Sequence, residues 1–241
     1  MKKKKLLKLV CWMALFSLLG APVSAQSDDA ELKRISDMAR RCREESNKFR
    51  EAGGRAGDPG DPALKWSAVF WQYAKEHAGS PAGAQATAHG LGWLMFANQD
   101  QEVIAKARLL PLNFPLWGSV IEKLRLSSTT TGNYSAFRDI TGRLLDQSKD
   151  HKLRAAVQLG LGRLYQEQHQ LEKAVAAFQT ALREAPDTPL AEEAELLLNE
   201  MQNLQVGQPV PAFEAPAIDG KRISSAGLRG KVVLLTVWAT W

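Results

Sequence analysis

Between Ser27 and Leu204 apolar residues recur at spacings of three and four, with polar residues filling the positions between them. That period lays an apolar stripe down one side of an α-helix. The stripe Leu32, Ile35, Ala39, Cys42, Ser46 and Phe49 predicts a helix from Ser27 to about Ala52, with Ser27-Asp28-Asp29 as N-cap and first-turn acids. The run GGRAGDPGDP (53–62) then breaks the pattern with four glycines and two prolines, and is expected to be mobile. Asp61-Pro62 opens the next helix as N-cap and first helical residue. On it Trp66, Phe70, Tyr73 and His77 fall on one face with Val69 beside them, an aromatic stripe that reads as core rather than as a ligand site. Gly79 ends that helix, and Ser80-Pro81 restarts the chain into one carrying Leu91, Leu94 and Met95. Shorter helices punctuated by Pro111 and Pro115 follow, and the polar run SSTTTGN (127–133) is expected to be a loop.

The sharpest local pattern of this helical body lies at 155–188. Leu161, Gly162 and Tyr165 stand on one predicted helix; Leu171, Ala174, Phe178 and Ala181 stand on the next, and Pro186 stops it. Small residues at 162 and 174 let two helices approach closely, while the larger ones fill the seam. The stretch resembles the 34-residue tetratricopeptide (TPR) repeat, departing from it at Gln158, where a large apolar residue is usual. One such repeat cannot bury its own apolar faces, so neighbours must stack on it. A helix over Leu190–Leu204, with Leu190, Ala194, Leu197, Met201 and Leu204 on one side, is the expected next element. The pairs at 62–98 and 133–167 read as degenerate hairpins of the same kind. Residues 26–204 are therefore expected to form a TPR-like helical array.

After Leu204 the helical period stops. Residues 213–217 and 222–223 flank Asp219-Gly220, a hairpin-type turn. SSAGLRG (224–230) reads as one capped turn, and KVVLLTVW (231–238) is a continuous apolar run of the sort found in a central strand covered on both faces. These residues resemble the opening of an exported thioredoxin-like domain of the TlpA/ResA type, a redoxin related to the AhpC/TSA group. Val206-Gly207-Gln208-Pro209 through Pro211 and Phe213 are similar to that family's lead-in, Asp219-Gly220-Lys221 to its turn, and Leu228-Arg229-Gly230-Lys231 with Val232–Val237 to its first central strand. Trp238-Ala239-Thr240-Trp241 resemble the four residues that precede its redox-active Cys-x-x-Cys. A peroxiredoxin would lead instead into a Pro- and Thr-containing loop with one peroxidatic cysteine, so the two tryptophans favour the thiol–disulfide branch. The helical region ahead of this segment also resembles the N-terminal extensions of some such proteins.

The resemblance implies a mostly α chain followed by the first β elements of an incomplete α/β domain, 205–241. In that family the first cysteine begins a helix whose N-terminus favours the thiolate; the thiolate attacks a substrate disulfide and the second cysteine resolves the mixed intermediate. Here the flanking Trp238 and Trp241 are present without either cysteine, so no catalytic residue carries over. The expectation is a fragment of a thiol–disulfide oxidoreductase, inactive as written, with roughly 100 further residues expected from typical domain sizes. Its partners would be protein thiols and disulfides with a redox partner. The other reading is a TPR-like envelope scaffold that binds a protein partner on its helical face without catalysis.

Residues 1–25 change how charge and cysteine are read. Five lysines, an apolar core from Leu9 to Gly20 and the small-residue pattern Val23-Ser24-Ala25 have the layout of a secretory signal cleaved after Ala25. The apolar core falls short of the roughly 20 residues of a membrane span, leaving an uncleaved anchor as the alternative. Export to the periplasm or cell envelope is expected. The whole chain has 31 basic and 26 acidic residues, and without those five lysines it is formally neutral, so nothing points to a nucleic-acid partner. With Cys11 in the signal, Cys42 has no disulfide partner. Flanking arginines could lower its pKa, but its place on the inward stripe favours burial over reactivity. Histidines 77, 89, 151 and 169 show no metal-ligand spacing; His77 continues the aromatic face and the others read as surface residues. No cofactor or metal is expected.

Overall fold

The computed structural model describes residues 23–204 and 206–236, with side chains from Asp28 onward. Among them are nine α-helices and one two-stranded sheet near the C-terminus, the mostly helical class expected from the apolar period. The chain divides at Ser148/Lys149 into two compact units.

The first unit contains α1 (Val23–Glu51), α2 (Pro62–Glu76), α3 (Pro81–Phe96), α4 (Asp100–Arg108), α5 (Trp117–Thr131) and α6 (Tyr134–Gln147). Helix α1 starts four residues before the expected Ser27 and runs through the expected cleavage point. Its inward stripe packs as read: Ile35, Ala39 and Cys42 join Trp66, Phe70, Tyr73, Ala82 and Ala86 in one core across α1, α2 and α3. Val69 is the exception on the aromatic face, pointing to solvent at 39 % exposure. Helices α2 and α3 form a hairpin tied by a hydrogen bond from Ser67 Oγ to the Gly90 carbonyl at 3.1 Å. The Gly/Pro-rich connection between α1 and α2 is not a free tether. The buried Asp61 carboxylate accepts from the Gly57 and Ala63 amides at 2.8 and 2.9 Å, and Asp58 accepts from Arg55. Ser80 caps α3 by accepting from the Gly83 amide.

The polar run 127–133 is not a loop. Ser127 to Thr131 complete α5, with Ser127 and Ser128 fully buried. Small hydroxyl side chains fit this packed face, and Thr130 and Thr131 return their hydroxyls to the carbonyls of Leu126 and Ser127, one turn back. Only Gly132, left-handed at φ 69°, ends the helix. Asn133 caps α6 by accepting from the Ala136 amide.

The second unit holds α7 (His151–Glu167), α8 (Leu171–Glu184) and α9 (Pro189–Asn203), followed by β1 (Glu214–Pro216), β2 (Arg222–Ser224) and a 3-10 turn at Ala226–Leu228. Helix α8 packs on both α7 and α9. The hairpin expected over 133–167 is therefore divided: α6 belongs to the first unit, and α7 pairs with α8 in the second. Strand β1 pairs antiparallel with β2, Ala215 opposite Ile223.

Candidate functional site

Candidate chemistry lies in the tail, on the helices over 155–188, at Cys42 and around His89. The hairpin expected around Asp219-Gly220 forms: the Ala217 amide donates to the Lys221 carbonyl at 2.7 Å, and Gly220 adopts φ 81°. The Asp219 carboxylate accepts from the Lys221 amide, and this bond holds its pKa below the usual carboxylate range. Behind it, Ser224 Oγ accepts from the Gly227 amide at 3.2 Å, which makes SSAGLRG the capped turn expected. The apolar run beyond forms no strand over its described residues. Residues 232–236 have no regular structure, and Val232, Leu234 and Leu235 are almost wholly exposed. A strand needs a neighbour to take its amides and carbonyls, and among the described residues β1 and β2 pair only with each other. Trp238 and Trp241 lie outside the described residues.

The residues singled out at 155–188 come together on α7 and α8. Gly162 is buried with the Phe178 ring directly against it; a β-carbon there would meet Phe178 Cε1 at 2.4 Å. Ala174, Phe178 and Ala181 are fully buried and share a core with Leu159, Ala194 and Leu198, so α9 closes it from the far side. Leu161 and Tyr165 are half-buried, and Leu171 and Pro186 are exposed. Of the side expected on α9, Ala194 is buried, Leu190, Leu197 and Met201 are half-buried, and Leu204 is exposed. Ion pairs bind this unit's rim. Arg154 and His151 converge on Glu184 at 2.8 and 2.7 Å, and the Arg154 bond is the chief cause of the lowered Glu184 pKa. Arg163 donates to Glu193 across α7 and α9.

Cys42 sits at 0 % exposure in the α1–α3 core, where burial pushes its thiol up to about 12. The flanking arginines do not reverse that, and the thiol stays neutral and shielded at ordinary pH. Among the described residues no group of three or more histidine, cysteine or acidic side chains is arranged to hold a metal ion.

His89 departs from the surface position expected of it. It lies half-buried, stacked on Phe70 with ring centroids 5.3 Å apart, and lines a hollow of about 520 Å³ between α1, α3 and α5. Burial, and then the nearby charges of Lys123 and Arg43, lower its pKa. No spacing in the sequence could have found this hollow, because its charged residues stand on three helices far apart in the chain. His77 behaves as read, its ring stacked on Tyr73 at 3.9 Å. Tyr73 donates to Glu31, and burial with that neighbour pushes its hydroxyl up to about 12. No described helix is long and apolar enough to cross a membrane.

No family model and no solved structure matches the chain. Two curated proteins do over a short stretch, both named thiol:disulfide interchange protein DsbE. One, from Pseudomonas fluorescens biotype C, is 46 % identical over 43 residues, covering 17 % of this chain and 24 % of the relative. The other, from Pseudomonas aeruginosa, is 38 % identical over 45 residues, 18 % of this chain and 25 % of the relative. The chain thus spans about a quarter of the length of the curated relatives it matches. A segment of this mostly helical protein is similar to thiol:disulfide interchange proteins of the thioredoxin-like kind.

Proposed function

We propose that the chain belongs to an exported thioredoxin-like thiol–disulfide oxidoreductase, with a TPR-like helical region ahead of a redox domain whose opening is residues 206–241. The observation that carries this reading is the tail: the Asp219-Gly220 hairpin, the capped turn at 224–230 and the apolar run after it, in that order. A similarity of 46 % over 43 residues to a thiol:disulfide interchange protein supports it. Residues 232–235 are apolar and exposed, as a central strand would be before the rest of its sheet covers it.

In the completed protein a Cys-x-x-Cys would follow Trp241. Its first thiolate attacks a substrate disulfide, forming a mixed disulfide and releasing one substrate thiol. The second thiolate then displaces the other substrate sulfur, leaving the pair oxidised and the substrate reduced by two electrons. Residues 26–241 hold no second thiol for this exchange, and Cys42 is buried. Purified 26–241 is therefore expected to leave insulin disulfides intact. The deciding experiment reads the gene past the codon for Trp241 and assays the encoded chain. An open frame giving Cys-x-x-Cys, with insulin reduction abolished by serine at the first cysteine, is expected. A stop codon there, or turnover by 26–241 alone, would overturn the reading.

A second reading is an envelope scaffold that binds a protein partner on its TPR-like face. It is favoured by the closed cores of the two helical units, into which residues 206–236 place no side chain. Recovery of no partner above background by residues 26–204 in a pull-down from envelope extracts would count against it. Cleavage after Ala25 would give a mature chain beginning at Gln26, which intact mass determines.

A further inference from the structure

We propose that the hollow between α1, α3 and α5 is a binding site for a small organic oxyanion, a phosphate- or carboxylate-bearing molecule with a planar apolar body. Three basic side chains converge there from three helices: Arg43 of α1, His89 of α3 and Lys123 of α5. Asn47 and Gln85 add amide groups, and Trp93 supplies an apolar wall set edge-on to Phe96 at 5.3 Å. Among the described residues no carboxylate lines the hollow.

The neighbouring acids pair with arginines, and of these Glu122 also acts on Lys123. Glu122 is held in a two-pronged pair by Arg125 at 2.6 and 3.0 Å. Asp37 and Glu44 both pair with Arg40. Among the described residues, Lys123 Nζ bonds only within its own helix, to the hydroxyl and carbonyl of Ser119 at 2.6 and 3.3 Å. Lys123 lies close over Gly92 of α3, where a β-carbon would stand 3.3 Å from Lys123 Cε. Burial lowers the pKa of both His89 and Lys123, and for His89 the like charges of Lys123 and Arg43 lower it further. An oxyanion seated there would accept charge-assisted hydrogen bonds from all three groups and favour their charged forms. The volume of about 520 Å³ fits a small ligand.

The test uses the purified chain, with NMR observation of the His89 ring and calorimetry. Phenyl phosphate, benzoate and inorganic phosphate are the probes, and benzyl alcohol is the uncharged control. Saturable binding of phenyl phosphate or benzoate that shifts the His89 ring signals is expected, and their relative affinities identify the head group. Lys123→Gln, whose amide can still bond Ser119, and Arg43→Gln, at an exposed position, should each weaken binding by about tenfold or more, as loss of a bond to a charged group does. Equal melting temperatures establish that the variants fold; Arg43→Gln carries the test if Lys123→Gln does not fold. Absence of saturable binding, binding unchanged in the folded variants, or equal binding of benzyl alcohol would overturn the proposal.

Discussion

At Gly162 in the second unit a single hydrogen atom decides the packing. Its α-carbon faces the Phe178 ring so closely that a methyl group would sit 2.4 Å from Cε1. On an exposed helix, alanine in place of glycine stabilises by about 1 kcal/mol; here overpacking against a fully buried ring reverses the sign. Gly162→Ala is expected to lower stability by about 1–3 kcal/mol, read from urea denaturation of the α7–α9 signal, whereas Gly142→Ala, with open space around it, should not. Cys42 gives a second expectation at this scale. Its folded pKa, about 12, lies above the ordinary thiol value. Stability from the buried neutral thiol is then fully present below the unfolded-state pKa of about 8.5 and is lost as pH rises from there through the folded value. In wild type, but not in Cys42→Ala, unfolding free energy should acquire this extra fall in alkaline buffer. A thiol reagent at neutral pH should label Cys42 only after denaturation.

At the scale of the element, polar side chains decide where helices begin and end. Asp61 is buried, caps α2 and holds the preceding turn through Gly57, so Asp61→Ala removes two accepted hydrogen bonds at once. A loss of about 1–2 kcal/mol is expected, with Asp61→Asn recovering part of it, measured by thermal or urea unfolding. That cap was legible in Asp61-Pro62, as were Ser80-Pro81 and the Asp219-Gly220 turn, because each is settled by residues within a few positions. The run 127–131 was not. Serine and threonine favour caps and turns when read locally, yet here they complete α5 because their face is packed and two threonine hydroxyls find carbonyls in the same helix. The run 232–236 failed in the opposite sense: its β propensity is strong, and among the described residues no strand lies beside it to make the ladder.

For the whole molecule, the helical cores and the tail make separate contributions. The described residues after Leu204 pack within their own hairpin and turn and leave Val232, Leu234 and Leu235 in solvent. Removal of 205–241 is therefore expected to leave the helical melting temperature unchanged within a degree or so, since surface changes away from packed features fall within about 0.5 kcal/mol. Calorimetry of the two chains checks this. The exposed apolar run should also drive self-association. Val232→Lys with Leu234→Lys is expected to reduce concentration-dependent aggregation by light scattering without moving that melting temperature.

The helical period, the caps and the hairpin turn were determined by the sequence alone, since each depends on residues within one or two turns of one another. The inward place of Cys42 belongs with them, because the three-and-four spacing already put it on the packed side of α1. What tertiary structure decided was whatever depends on a distant neighbour. It divided the helices at Ser148, kept Ser127 and Ser128 in a buried helix face, and left 232–236 without a sheet. It also gathered Arg43, His89 and Lys123 around one hollow. Packing and charge act through space, and three helices carry to one point residues that the linear order holds apart.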